Sequence, residues 1–247
     1  MNLAKRTGLV AATALTLVSL TLPMTDSLSS YSVIRLRQPV TIDGNWDKPA
    51  WQAVPPLRIT HYMGDKPNFE PVVTAKMQYD TAHLYVIFRV QDRFVRVLTQ
   101  DINGPVWEDA CVEFFFAPNT AQPTHYFNLE TNAGGTPLMQ YSTVARQEVT
   151  PLPTKSIQAI EIAHSLPQRI DPEIKDSVTW TLEYRIPLEM LQQHAVVTTP
   201  EPGVVWHANF YKIAENNTNP HYMTWAPIDL PAPNFHAPQF FGELKFQ

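Results

Sequence analysis

From Val72 onward, apolar side chains recur at every second position in short runs, and only residues 188–194, which follow Pro187, carry a helical pattern. The runs 72–79 and 83–90 flank Asp80-Thr81-Ala82 and predict a hairpin. Further runs follow at 111–116, 125–131, 138–144, 157–163, 178–186, 204–214, 222–225 and 240–246. Ten or more short strands with one short helix predict an all-β chain, folded as an antiparallel β-sandwich of jelly-roll or immunoglobulin-like type. The chain's 23 prolines against 8 glycines agree. Proline has no amide donor and is confined to edges, turns and loops, so this ratio excludes a helical bundle. A length of 247 residues is enough for one full core. No repeat or low-complexity linker interrupts residues 31–247, which therefore read as one domain.

The first thirty residues have a different character. Lys5 and Arg6 precede an uncharged apolar run at 9–22, and Ser27-Leu28-Ser29 supplies small residues at cleavage spacing. Residues 1–29 thus read as a signal peptide, and the protein as exported to the periplasm or secreted. The apolar run is shorter than the ~20 residues of a membrane helix, so the mature chain is expected to lack a membrane span. A net charge of −5 without a Lys/Arg cluster argues against nucleic acid as a partner. The lone Cys111, between Ala110 and Val112, reads as a core thiol.

Alternation also assigns faces. In the run from Cys111, Val112, Phe114 and Phe116 take the core side and Glu113 points away. In the next run Phe127 and Leu129 take the core side, leaving Tyr126, Asn128, Glu130 and Asn132 opposite. If the two strands are neighbours, Glu113, Asn128 and Glu130 share one face. Such a row also suits a plain solvated surface. Among the six tryptophans, Trp180 and Trp206 alternate in phase with core residues, and Trp46 and Trp51 suggest a short lid on the sandwich. Trp107 follows Asn103-Gly104-Pro105, and Trp225 lies between Pro220 and Pro227. Aromatic rings on loops beside hydrogen-bonding side chains suit a sugar, which has apolar C–H faces and a hydroxyl rim.

Other chemistries have weaker support. Glu113 with Glu130 can be written as a glycosidase carboxyl pair, which makes a hydrolytic accessory domain one alternative. No histidine pair has zinc-ligand spacing, and there is no nucleophile elbow or phosphate-binding glycine loop.

The blocks Ile42-Asp43-Gly44 … Trp51, Trp107-Glu108-Asp109-Ala110-Cys111-Val112-Glu113-Phe114-Phe115, Trp180-Thr181-Leu182-Glu183 … Ile186-Pro187, Asn209-Phe210-Tyr211-Lys212-Ile213 and Phe241-Gly242-Glu243-Leu244-Lys245-Phe246 together resemble the family 9 carbohydrate-binding modules. The resemblance implies a β-sandwich without catalytic residues, which binds a carbohydrate ligand and often accompanies a glycan-degrading enzyme. Carried over by position, Trp107 and Trp225 become a pair stacking on the sugar and Glu113 its hydroxyl-binding carboxylate. Asn128, His221 or Asn219 would supply the amide or further polar contact. A cationic donor is expected from residues 128–135, which contain no Arg or Lys. Family members often bind calcium, for which Asp43 and Asp47 are candidates. Related sandwiches of the DOMON type hold haem for electron transfer, and Met77, Met139 and Met223 would then be candidate ligands.

Overall fold

The computed structural model describes residues 28–38 and 40–247. The expected signal peptide lies outside them but for Leu28 and Ser29. In chain order the elements are β1 (Ser30–Arg35), α1 (Pro49–Gln52), β2 (Leu57–Ile59), β3 (His61–Tyr62), β4 (Val72–Tyr79), β5 (His83–Asp92), β6 (Val95–Val97) and a 3₁₀ turn at Val106–Glu108. Then come β7 (Cys111–Ala117), β8 (Tyr126–Asn132), β9 (Pro137–Val144), β10 (Glu148–Pro151), α2 (Thr154–Ile157), β11 (Glu161–His164) and β12 (Ile170–Ile174). The chain closes with β13 (Val178–Pro187), α3 (Leu188–Gln192), β14 (Val205–Ala214), β15 (His221–Thr224), a second 3₁₀ turn at Pro238–Phe240 and β16 (Gly242–Phe246).

The strands form two layers. One runs β10-β9-β8-β7-β14-β16, with β15 paired alongside residues 211–214 of β14 and β3 beside β15, and the other runs β11-β13-β5-β4, with β2 beside β4. β1 joins the layers: residues 30–33 pair with β16 and residues 34–35 with β4. Both pairings are parallel, which corrects the purely antiparallel expectation. No hairpin connects β1 to either neighbour, so no turn fixes its direction. The expected strand at 157–163 forms only over its second half, where β11 begins at Glu161. Ile157 ends α2 and Ile160 lies in the turn that follows, and both are buried in the core, a spacing of three that suits a helical turn rather than a strand.

Between the layers Phe114 stacks on Phe116 at 4.5 Å and on Phe210 at 4.7 Å, with Phe88, Phe127, Trp180, Leu182, Tyr184 and Trp206 packed around them. Cys111 is buried, as its context predicts. The segment from Val40 to Val54 covers the outer face of β5, where Ile42, Trp51 and Val54 pack on Tyr85 and Ile87. This is the lid that Trp46 and Trp51 suggest.

Candidate functional site

The outer face of the β7–β8 layer is not solvated. Ile228, Leu230, Phe235 and Phe241, from the segment between β15 and β16, fold over it and pack against Phe115, Tyr126 and Tyr211. Phe235 stacks on Tyr211 at 4.2 Å. Beneath this strap lies a cavity of about 360 Å³ with Trp107, Leu138, Ile213, Tyr222 and Phe235 as its apolar walls. Its polar groups are Glu113, Glu130, Gln140, Arg146, Glu215, Asn234 and His236. The volume is at the small end of ligand sites, which run from about 300 to 1,000 Å³.

Strand register builds the floor. Glu113 of β7 stands directly opposite Glu130 of β8 on one side and Tyr211 of β14 on the other, and Glu130 is opposite Leu138 of β9. The face assignment read from alternation therefore holds for Glu113 and Glu130. The 3₁₀ turn that follows Pro105 carries Trp107, with Val106 buried beneath it as an anchor. Asn103, in the left-handed region at φ 64°, fixes the preceding loop to β9: its Oδ1 accepts from Met139 N at 3.0 Å and its Nδ2 donates to Leu152 O at 3.0 Å. Asp109 fixes the following side, accepting from the amides of Leu98 and Thr99 and from Asn132 Nδ2, each at 2.9 Å. The Trp107 ring is thus half-buried on a clamped turn.

A cation reaches the cavity from another part of the chain. Arg146, at φ 59° in the turn between β9 and β10, reaches the rim and donates from Nε to Asn234 Oδ1 at 2.9 Å. His236 Nδ1 lies 2.8 Å from the Tyr126 hydroxyl. Burial, helped by Arg146, pushes the His236 imidazole down to about 4, so it is neutral at pH 7. Burial raises Glu113 well above the usual carboxylate range, and Glu130 and Glu215 push it further up. Glu130 is pushed up to about 7, mainly by burial, although Asn128 Nδ2 donates to its Oε1 at 2.9 Å.

Trp225 does not face this cavity, which corrects its assignment as a stacking partner of Trp107. It is buried between the layers, edge-on to Phe210 at 5.7 Å. The reason is parity: Tyr222 pairs with Ile213 and faces the cavity, so His221, Met223 and Trp225 face inward. His221 is likewise away from the cavity, with Nε2 2.8 Å from Lys212 Nζ and Nδ1 2.7 Å from Asn219 O. Burial holds its imidazole well below the ordinary range, and the neighbouring Lys212 adds to the effect. Asn128 shares the outer face with Glu130, as alternation predicts, but does not line the cavity; it donates to Glu130 and, at 3.3 Å, to Gln140 Oε1. Asn219 holds Phe69 through both backbone groups, at 3.2 and 2.9 Å. Glu113 and Trp107 are therefore brought together, with Asn128 beside Glu130, and Tyr222, Arg146 and Gln140 are the residues that sequence reasoning missed. The polar row's alternation could have pointed to Tyr222 only with the β14–β15 register known.

The oxygen cage near Asp43 already holds a cation. Lys48 Nζ bonds to Asp43 Oδ1 at 2.9 Å, to the Thr41 carbonyl and to both oxygens of Glu183. The Asp43 carboxylate is thus taken up by Lys48, and among the described residues no three His, Cys, Asp or Glu side chains are grouped for a metal. Met77, Met139 and Met223 are core filling, each at most 1% exposed.

A two-layer sandwich with a small aromatic and polar cavity on one outer face has the form of a ligand-binding module. The chain belongs to carbohydrate-binding family 9, whose profile matches residues 45–246. It is similar to the crystal structure of a candidate carbohydrate-binding protein from Bacteroides uniformis ATCC 8492, with 27% identity, a TM-score of 0.80, and 90% of this chain and 100% of that one covered. It shares its fold with a family 9 module from Caldicellulosiruptor kristjanssonii solved with cellotriose, at 17% identity, a TM-score of 0.58, and 89% and 94% coverage. The same module solved with glucose matches at 17% identity and a TM-score of 0.58, with 89% and 96% coverage. No curated protein sequence gives a match.

Proposed function

We propose that the protein binds a sugar non-covalently in the cavity beneath the strap, with the ring against Trp107 and Tyr222 and the hydroxyls on Glu113, Glu130, Gln140 and Arg146. The observation that carries the reading is the pairing of two half-buried aromatic walls with an inward row of acceptors in a space of about 360 Å³. The aromatic walls suit pyranose C–H faces, and the acceptors suit hydroxyl donors. The glucose-bound and cellotriose-bound relatives of the same fold support the ligand class. A cavity of this size favours one or two rings over a long chain. Binding without catalysis accords with the family. The basic, apolar and small-residue succession of residues 1–29 supports a setting outside the cytoplasm, where a glycan-degrading enzyme is a natural partner.

Calorimetric titration against mono- and disaccharides tests the proposal. A heat of binding for at least one sugar, lost in Trp107→Ala at an unchanged melting temperature, is the expected result. Silence across the panel, or full affinity in Trp107→Ala, overturns it.

A further inference from the structure

We infer that the cavity is built for a sugar carrying a primary ammonium group, of the 2-amino-2-deoxyhexose kind, an inference that rests on the sugar-binding reading above. Three carboxyl groups, those of Glu113, Glu130 and Glu215, line the cavity against one guanidinium, Arg146. Charge count alone would not decide the matter, since surface carboxylates often gather without a ligand.

Glu113 decides it. The residue is 2% exposed and lines the cavity, and among the described residues none donates a hydrogen bond to its carboxyl group. A buried carboxyl group left without donors holds its proton rather than carry an unpaired charge, and a cation placed beside it restores the ionised form. Its cross-strand neighbour Glu130 worsens the position, because like charges directly opposite repel.

Of the nearby cations Lys212 is engaged elsewhere, and Arg146 is a single guanidinium against three carboxyl groups. Lys212 projects to the other face of the sheet, where its ammonium lies 3.4 Å from Asp92, 2.8 Å from His221 Nε2 and 3.0 Å from the Ile213 carbonyl. Arg146 stands at the exposed rim with its Nε on Asn234. Three carboxyl groups against one guanidinium therefore suit a ligand that brings both donors and a positive charge. A neutral sugar brings hydroxyl donors without charge, and a uronic acid adds a further negative group. An ammonium brings three donors and one positive charge, which answers both deficits at the Glu113–Glu130 pair. Trp107 and Tyr222 as walls add to this, since the faces of aromatic rings attract cations.

The test is calorimetric titration of the full-length chain at pH 7 with glucosamine, galactosamine and mannosamine, each beside its neutral parent hexose and its N-acetyl form. At least one amino sugar is expected to bind about tenfold or more tightly than both of its uncharged counterparts. In Glu113→Gln, whose fold is checked by melting temperature, that ratio is expected to collapse to within about threefold. Neutral hexoses binding as tightly as every amino sugar overturn the ammonium inference and leave the sugar reading standing. No heat with any sugar, charged or neutral, overturns both. A preference that survives in Glu113→Gln overturns the role given to Glu113.

Discussion

The ammonium of Lys48 lies 2.7 Å from Oε1 and 2.8 Å from Oε2 of Glu183, across 135 positions of chain. Glu183 is fully buried and also accepts from Trp51 Nε1 at 2.8 Å and from the amides of Gly44 and Asp43 at 2.8 and 3.1 Å. Every lone pair of this carboxylate is directed at the lid. Replacing Lys48 by Met leaves a buried negative charge without its counterion, a change that costs about 3–5 kcal/mol in comparable pairs. Denaturant unfolding of Lys48→Met is expected to show a loss of that order. A loss below about 1 kcal/mol would place the pair among weak surface bridges.

This constellation shows what the sequence makes legible. The blocks Ile42-Asp43-Gly44 … Trp51 and Trp180-Thr181-Leu182-Glu183 read as two separate likenesses, and the fold makes them one device. Gly44, at φ +72°, turns its amide to Glu183 while its carbonyl accepts from Thr181 Oγ1 at 2.7 Å. Strands with strict alternation, such as β4 and β13, are readable because one face of each is packed on the core. β1 is not, because only Tyr31 and Val33 of its six residues are buried and its neighbours are remote in sequence. The site was half readable. Glu113 and Glu130 follow from parity within their own strands, whereas Tyr222 depends on pairing with β14 and Arg146 on the β9–β10 turn. Pairing between strands is a tertiary fact that period-two patterning does not encode.

Gly242 owes its identity to Trp225. A Cβ at this position would lie 2.8 Å from Trp225 Cζ3 and 2.5 Å from the Ser29 carbonyl. Gly242→Ala is therefore expected to destabilise the protein by about 1–3 kcal/mol. Trp225→Ala, which empties core space beside Phe210, is expected to cost about 3–5 kcal/mol. Sugar affinity per folded molecule stays at the wild-type value in Gly242→Ala. An unaltered melting temperature in Trp225→Ala together with lost binding would return Trp225 to the ligand.

Glu130 sets a pH dependence. It stands opposite Glu113 of the neighbouring β7, with Asn128 donating to it, Arg146 nearby at the rim and Glu215 also lining the cavity. Its folded-state value is raised from 4.5 to about 7, so the native state binds more protons than the unfolded chain between these limits. Stability from this group therefore falls as pH rises through that window, by an amount on the order of 2–3 kcal/mol. His236, lowered from 6.5 to about 4, works in the opposite sense, its contribution being lost as pH falls through the same region. The two trends are separated by Glu130→Gln, whose melting temperature relative to wild type is expected to climb between pH 4.5 and 7 and then level off. A difference independent of pH would show that Glu130 titrates normally.

Tyr222 distinguishes the wall of the cavity from the core. It is half-buried on β15, its hydroxyl donates to Glu215 Oε1 at 3.2 Å, and its ring meets Phe235 edge-on at 6.1 Å. Its neighbours in sequence, His221 and Met223, are buried on the opposite face. Truncation to Ala removes one aromatic wall and the hydroxyl that orients Glu215, while little of the main core is disturbed. Tyr222→Ala is thus expected to weaken sugar binding by about tenfold or more, with an unfolding loss near 1 kcal/mol, well short of the cost at Trp225. Tyr222→Trp keeps an aromatic face against the ligand and is expected to restore most of the affinity even though it lacks the hydroxyl. Recovery in Tyr222→Trp but not in Tyr222→Leu ties the effect to the ring's face; equal recovery in both would reduce Tyr222 to a space-filling part of the wall.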